Sequence, residues 1–528
     1  VGGRIYTHGF GAGGALEEAK RRGKKKKKRR KKKNPAAAAG GDEKRGEGKD
    51  KVIRADLGAN YMHKCWAKDD QPVFKLAQQK RIRVGLAAGG RFANTECAKW
   101  FDHRTGKPID PITLARCHIR GTKHHARMAK LALKAEDGVS IATLLKSAEA
   151  YVAERMRHKV KGLEREIHYK ITSRQWGYVS PLPDTGVALI RGEKTGLEGY
   201  EDMDELGQPG HIQVIAQRMQ AQVLENENPE IHECELAKGG GQDRLVVDGY
   251  HGFVIDHLLA CKPDVKLSKS VMKVEIRDPL HDESLRVNTK GYWNGSEKNK
   301  SRARSIEVTC RDGSVYTCQY LVCAVPLGVL KGRSPYSSIE WKPALASVKR
   351  DCIRMMGMGT HNKVVFRFAE DDVFWPPGTP QLLSPDPRYH FLNLHAYGKT
   401  GMILLHVWPP HADQWVNKSD QQVVKEAIGV MRGMFRSQYK AKKEPQPLES
   451  VVTRWDTDPF SCGSYSYLAP GSNWNHIQIL NLPHPQVGEP RVFFCGEAIS
   501  IKGFQCVDGA YESGQRAGKS VLECYGIK

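Results

Sequence analysis

At 528 residues the chain is long enough for about three units of the usual ~150 residues and for a sizeable buried core. Its 40% hydrophobic, 8% aromatic and 27% charged residues match a soluble globular class and exclude a fibrous or wholly disordered chain. The longest apolar stretch runs from Tyr320 to Leu330, short of the roughly 18 residues a membrane helix needs, so no membrane span is expected. The net charge of +24 is concentrated. Lys20 to Lys33 carries 13 of the 83 Lys and Arg, and taking those charges away leaves +11.

Thirteen cysteines with no C-x-x-C pair support neither a zinc knuckle nor a disulfide framework, and a reducing compartment, nucleus or cytoplasm, is expected. No metal site is expected. There is no secretory signal at Val1, no retention tail at Lys528 and no initiating Met, which suggests that the true start is missing.

In chain order, a strand-like opening is followed by a low-complexity stretch, 9–50, with the basic run and the Ala tract at 36–39. It lacks the apolar surface to offset its ordering entropy and is expected to be a disordered insertion within one domain. A strand-like segment resumes at Val52. From about Asp70 to Leu236 the pattern is mainly helical, as in Ile141 to Val152, where apolar residues recur at three and four. Leu267 to Ile276 alternates like a strand. Ser305 to Thr309 and Val315 to Cys318 flank the turn Arg311-Asp312-Gly313-Ser314 and predict a hairpin. The apolar run Tyr320 to Val325 then predicts a buried strand. Helical and strand signals mix from Ile339 to Glu449, and the chain closes with a strand over Val492 to Cys495 and a helix over Val507 to Cys524.

A carboxylate placed just after a buried strand, as Glu497 is, can accept hydrogen bonds from sugar hydroxyls, and the next helix N-terminus can face an anionic group. Further segments accompany it in order: Gly2-Gly3-Arg4, Asp56 to His63, Val322 to Lys331, Gly357 to Lys363, Phe374-Trp375, Arg454-Trp455 with Asp458-Pro459 and Gly463 to Tyr467, and Phe493 to Ala510. Together they resemble the flavin-containing amine oxidase family, which includes polyamine oxidases, monoamine oxidases and lysine-specific histone demethylases.

The resemblance implies the amine oxidase fold, an α/β protein with a Rossmann-like FAD-binding domain and an α+β substrate-binding domain. The FAD domain would combine 1–75, 240–332 and 451–528, and the substrate domain 76–239 and 333–450. It implies noncovalent FAD, because Ser464 stands near where monoamine oxidases carry the linking Cys. Cofactor contacts would come from Gly3, Arg4, Ala59, Asn60, Tyr61, Val271, Trp455, Gly496, Glu497, Cys506 and Val507. Arg4 would meet the pyrophosphate, where a guanidinium fork suits phosphate oxygens. Cys506 and Val507 would open the helix facing the pyrimidine edge of the flavin, where a helix N-terminus favours negative charge. Lys363 resembles the lysine that holds a water against flavin N5 and is the catalytic candidate. His63, Trp408 and Tyr465 are substrate candidates, the aromatic pair because cation–π attraction suits an ammonium.

The chain departs from the family pattern at two places. The usual upstream G-x-G-x-x-G turn is not seen, and Gly503 stands where relatives often place a Tyr. The implied reaction is oxidation of an amine C–N bond to an imine, with dioxygen reduced to hydrogen peroxide. The substrate is a small-molecule amine or a methyl-lysine peptide. His63 favours a polyamine oxidase. The basic run Lys20 to Lys33 could bind nucleic acid or act as an import signal, which suits the alternative of a histone demethylase on chromatin. A catalytically silent flavoprotein scaffold is the third reading. Glu198, Glu201, Asp202, Asp204 and Glu205 are candidates for an acidic entrance that would admit a cation.

Overall fold

The structure is a computed structural model that describes residues 4–10, 53–65, 71–86, 98–155, 160–177, 181–192, 242–277, 305–437, 445–486 and 489–527. Its longer helices are α1 (Pro72–Gln79), α2 (Pro111–Ala132), α3 (Ile141–Arg155), α4 (Gly162–Gly177), α5 (Ser347–Met355), α6 (Asp420–Met434), α7 (Trp474–Asn481) and α8 (Val507–Cys524).

A seven-stranded sheet occupies the centre, in the order Glu449–Val452, Asn362–Arg367, Met402–Val407, His390–Leu392, Gln381–Leu383, Ala98–Asp102, Lys107–Pro108. Successive side chains of a strand point to opposite faces, and both faces here are apolar. On one, Val364, Phe366, Phe391, Ile403 and Leu405 pack with Val423, Ala427 and Met431 of α6. On the other, Val365, Leu392, Met402 and Leu404 pack with Ala55, Leu57 and Leu245. One row of that second face breaks the apolar pattern. Lys363 pairs with His406, which in turn pairs with His390, so three basic residues lie side by side across three strands.

Thr7–Phe10 pairs antiparallel with Ile53–Asp56, and Phe10 lies directly opposite Ile53. The expected insertion therefore starts later than position 9. Gly9 and Phe10 belong to the strand, and Phe10 is fully buried because it fills the cluster formed by Ala55 and Leu57. Residues 11–52, including the basic run, lie outside the described residues.

The hairpin Ser305–Cys310 to Val315–Cys318 forms as expected, with Gly313 at φ +84° in its turn. The strand expected from Leu267 begins only at Val271, because Ser268 adopts φ +60° and turns the chain, leaving Leu267 exposed. The expected buried strand over Tyr320 to Val325 shortens to Leu321–Cys323, and Val322 is 40% exposed. Its described strand neighbour is Val492–Phe494, which runs parallel to it and leads into Glu497 and α8. The helical region contains α1 to α4, interrupted by the strands Val84–Leu86 and Ala98–Asp102.

Local signals set the helix ends. Pro111 occupies the first turn of α2, and Asp110 accepts from Thr113 N at 2.8 Å. Ser419 and Gln422 make a reciprocal capping box at α6. Two lysines, Lys349 buried and Lys331 half-buried, cover open carbonyls at C-termini. Lys331 donates to Ile353, Arg354 and Met356 oxygens at the end of α5, and Lys349 to Ile479, Leu480 and Leu482 oxygens at the end of α7. Among the described residues no helix is long and apolar enough to cross a membrane.

Candidate functional site around Lys363

Lys363 sits near the start of a strand flanked on both sides, and its backbone is fixed there. Its N–H donates to Thr453 Oγ1 at 2.8 Å, and its carbonyl accepts from Thr453 N at 2.9 Å. The side chain is 5% exposed, and its ammonium donates to Gly58 O and Asn60 Oδ1. Asn60 is held in turn by Nδ2 donating to Asp56 O at 3.1 Å. Burial lowers the Lys363 pKa to about 7, and the Asp56 charge partly opposes this. The Asp56 carboxyl is raised by burial, although Thr7 Oγ1 and Tyr250 N donate to it. A lysine poised near neutrality can hold or release a proton at physiological pH, which an exposed lysine cannot do.

Arg4 joins this centre to the C-terminal strand. Its carbonyl accepts from Ala59 N at 3.2 Å, and a Cβ on Gly58 would lie 1.7 Å from that carbonyl oxygen, so only glycine fits there. The Arg4 guanidinium lies 3.1 Å from Glu497 Oε1 and donates to Ser464 O at 2.6 Å. The other oxygen of Glu497 accepts from Ser466 Oγ at 2.6 Å. Ser466 O accepts from Gln505 Nε2 at 2.7 Å, which brings in the start of α8 with Cys506 and Val507. A cleft opens beside the pair, lined by Arg4, Ala324, Pro326, Gly496, Glu497 and Ile499. Trp455 closes the loop by donating its Nε1 to Leu57 O at 3.2 Å.

An aromatic and imidazole wall adjoins Lys363. His361 contacts Tyr465 OH at 2.8 Å through Nδ1 and His406 Nδ1 at 3.0 Å through Nε2. Trp408 meets His361 edge-on with ring centres 5.7 Å apart, and Tyr61 stacks on His406 at 6.3 Å. Burial raises the Tyr465 hydroxyl well above its ordinary range, keeping it protonated. At the rim, His63 Nδ1 lies 2.8 Å from Asp243 Oδ2 on the neighbouring strand Gln242–Val246.

The structure thus brings Arg4, Ala59, Asn60, Tyr61, Lys363, Trp408, Trp455, Tyr465, Gly496, Glu497, Cys506 and Val507 into one connected region, with His63 at its edge. Val271 stands apart on the four-stranded sheet and shares only an apolar cluster with Ala498 and Ile499. Gly3, the basic run 20–33 and the acidic candidates 198–205 lie outside the described residues. Sequence reasoning missed Asp56, His361, His390, His406 and Ser466. Asp56, His361 and Ser466 lie inside the segments that carry the resemblance, next to residues with implied roles. The Tyr-to-Gly departure at 503 has a packing counterpart. A Cβ there would lie 2.4 Å from Gly509 Cα, so Gly503 lets its loop close against α8.

A family model described as flavin containing amine oxidoreductase matches residues 286–522. Over 223 residues, 41% of this chain and 26% of the relative, the sequence is 32% identical to Lysine-specific histone demethylase 1 homolog 3 of Oryza sativa subsp. indica. Over 235 residues, 42% of this chain and 26% of the relative, it is 33% identical to Lysine-specific histone demethylase 1 homolog 1 of Arabidopsis thaliana. Protein FLOWERING LOCUS D of the same plant is 32% identical over 228 residues, 42% of this chain and 27% of that protein. The chain spans about a quarter of the length of these curated relatives. The family match and these relatives make residues 286–522 similar to the flavin-containing amine oxidases.

The matched family is described as flavin containing, and the chemistry present fits a flavin cofactor. Glu497 is a buried carboxylate beyond the end of a parallel strand pair, where sugar hydroxyls are commonly bound. Arg4 offers a phosphate-binding guanidinium beside it, and Gly496, at φ +130° with open space where a Cβ would stand, permits close approach.

Proposed function

We propose that this chain carries the catalytic part of an FAD-dependent amine oxidase acting on a cationic amine. The observation that carries the reading is Lys363, a buried lysine with its pKa near neutrality, held against Gly58 and Asn60 within hydrogen-bonded reach of the Arg4–Glu497 pair. FAD, when bound, supplies the two-electron acceptor for oxidation of the C–N bond to an imine, with dioxygen as the final acceptor and hydrogen peroxide as product.

Glu497 holds the sugar hydroxyls, Arg4 the diphosphate, and Cys506 with Val507 open α8 toward the flavin ring, where the helix N-terminus favours negative charge. Gly3, Ala59, Asn60, Tyr61, Trp455 and Gly496 complete the cradle. Lys363 holds a water through its Nζ and moves a proton at that atom. Trp408 and Tyr465 face the substrate ammonium, for which an aromatic face gives about 0.5–2 kcal/mol. Val271 keeps a role through its backbone at the adenine end.

The substrate class we assign is a methylated lysine side chain of a histone tail. The similarity, at 32–33% identity, to proteins named lysine-specific histone demethylase 1 homologs supports it. A nuclear location and a nucleic-acid contact through Lys20 to Lys33 accord with it. The second reading is a polyamine, which the His63–Asp243 pair favours, because a carboxylate-backed imidazole at the rim suits a second amine of the substrate.

Anaerobic addition of a methylated histone-tail peptide, spermine or spermidine to FAD-loaded protein distinguishes the two. Bleaching of the flavin by the peptide alone supports the first reading, and bleaching by polyamines alone replaces it with the second. Stable FAD binding with no bleaching by either leaves the silent scaffold.

A further inference from the structure

The helices α2, α3 and α4 pack together away from Lys363, and three polar side chains meet between them. His124 comes from α2, Glu149 from α3 and His168 from α4. His124 Nδ1 lies 3.6 Å and His168 Nε2 3.9 Å from the same carboxylate oxygen, Glu149 Oε2. Each histidine offers one nitrogen, and all three ligand atoms lie within 4.8 Å of one another.

Direct hydrogen bonding does not account for the arrangement. Both separations exceed hydrogen-bond length, and His124 Nδ1, His168 Nε2 and Glu149 Oε2 are buried atoms with no hydrogen-bond partner among the described residues. Buried polar atoms are almost always satisfied, so three such orphans aimed at one point mark a missing partner.

We propose that His124, Glu149 and His168 form a divalent transition-metal site, suited to Zn²⁺, that ties the three helices together. Bonds of about 2.0–2.1 Å in a tetrahedron place ligand atoms roughly 3.4 Å apart, so the two gaps to the Glu149 oxygen, 3.6 and 3.9 Å, close with movements of a few tenths of an ångström. Two imidazoles and a carboxylate are a set that zinc accepts while keeping an open fourth position for water.

The surroundings are those of a prepared site. His124 Nε2 contacts Leu145 O at 2.9 Å, which sets the tautomer that leaves Nδ1 bare. Arg120 Nη2 donates to Glu149 Oε1 at 2.7 Å, orienting the carboxylate while leaving Oε2 for the ion. The Glu149 side chain is 40% exposed and gives an entry path, whereas the two histidines are 2% and 6% exposed.

The test uses the untagged full chain, stripped with chelator, reloaded with Zn²⁺ and dialysed. The expected result is one retained zinc per chain and a rise in Tm of about 2–5 °C, both lost in Glu149→Gln and in His168→Asn. Glu149→Gln keeps an oxygen for Arg120 on a half-exposed side chain, so its fold can be verified by circular dichroism. Loading with Co²⁺ should give weak visible d–d bands without thiolate charge transfer. The proposal is overturned if no zinc is retained, if both variants retain it as well as the parent, or if the Co²⁺ spectrum shows thiolate ligation. This site lies outside the flavin reading, and its outcome leaves that reading untouched.

Discussion

The guanidinium of Arg4 stands 3.1 Å from the carboxylate of Glu497, a residue 493 positions further along the chain. That contact joins the opening of the described structure to the strand and helix that close it. Because Glu497 also binds both the N–H and the hydroxyl of Ser466, the carboxylate is held in one orientation before any ligand arrives.

Glu497→Ala should therefore weaken FAD binding more than it weakens the fold. A hydrogen bond to a charged group is worth about 1.5–3 kcal/mol, or roughly 10- to 150-fold in Kd. Titration of stripped protein with FAD, followed by quenching of flavin fluorescence, measures this. An unchanged Kd removes Glu497 from the cofactor site.

Lys363→Met should slow flavin turnover by about 10²–10⁴-fold, the usual range for a lost proton-transfer group. The parent rate should change between about pH 6 and 8 as the ammonium held by Gly58 and Asn60 loses its proton near 7. Stopped-flow rates across that window should show an inflection in the parent and none in the variant.

Lys349 makes a separate prediction about stability. Burial lowers it to about 8 from its ordinary 10.5, so between those values the unfolded chain binds more protons. Its contribution to stability is then constant below about 8 and rises from there toward 10.5. Lys349→Met strands the carbonyls of Ile479, Leu480 and Leu482 and should cost about 2 kcal/mol or more at pH 7. Urea midpoints of both proteins at pH 7.5 and pH 10 test the cost and the slope together.

Gly503→Ala should destabilise by about 1–3 kcal/mol, because the new Cβ would stand 2.4 Å from the Gly509 backbone. Thermal unfolding of the variant checks this, and equal Tm values would show that the loop moves aside without cost.

Replacing residues 11–52 with an Asn-Gly turn should leave Tm within a few degrees, since Phe10 and Ile53 already face each other across a strand pair. The same deletion removes 17 Lys and Arg, 13 of them in Lys20 to Lys33, so DNA binding that weakens steeply with salt should fall. Unchanged DNA affinity would move the nucleic-acid contact elsewhere.

What the sequence made legible follows the range of each interaction. The Asp312-Gly313 turn and the closing helix from Val507 are local, and both appear where expected. Glu497 and Lys363 were visible through the segments around them, although the partners of each were not. Asp56 reaches Tyr250 across 194 positions, and Lys363 reaches Gly58 across 305, separations that no periodicity encodes. The His124, Glu149 and His168 cluster was invisible for the same reason. Each residue is an ordinary polar member of its own helix, and only the packing of three helices makes them neighbours.

The strand that bears Lys363 is paired on one side with Met402–Val407 and on the other with Glu449–Val452. Such a strand cannot loosen by fraying, since both neighbours must part from it first. Amide hydrogens at Val364 and Val365 should therefore exchange only through whole-molecule opening. Thermal inactivation and global unfolding should then coincide as a single event, with no partly folded species that has lost the lysine while keeping the surrounding sheet.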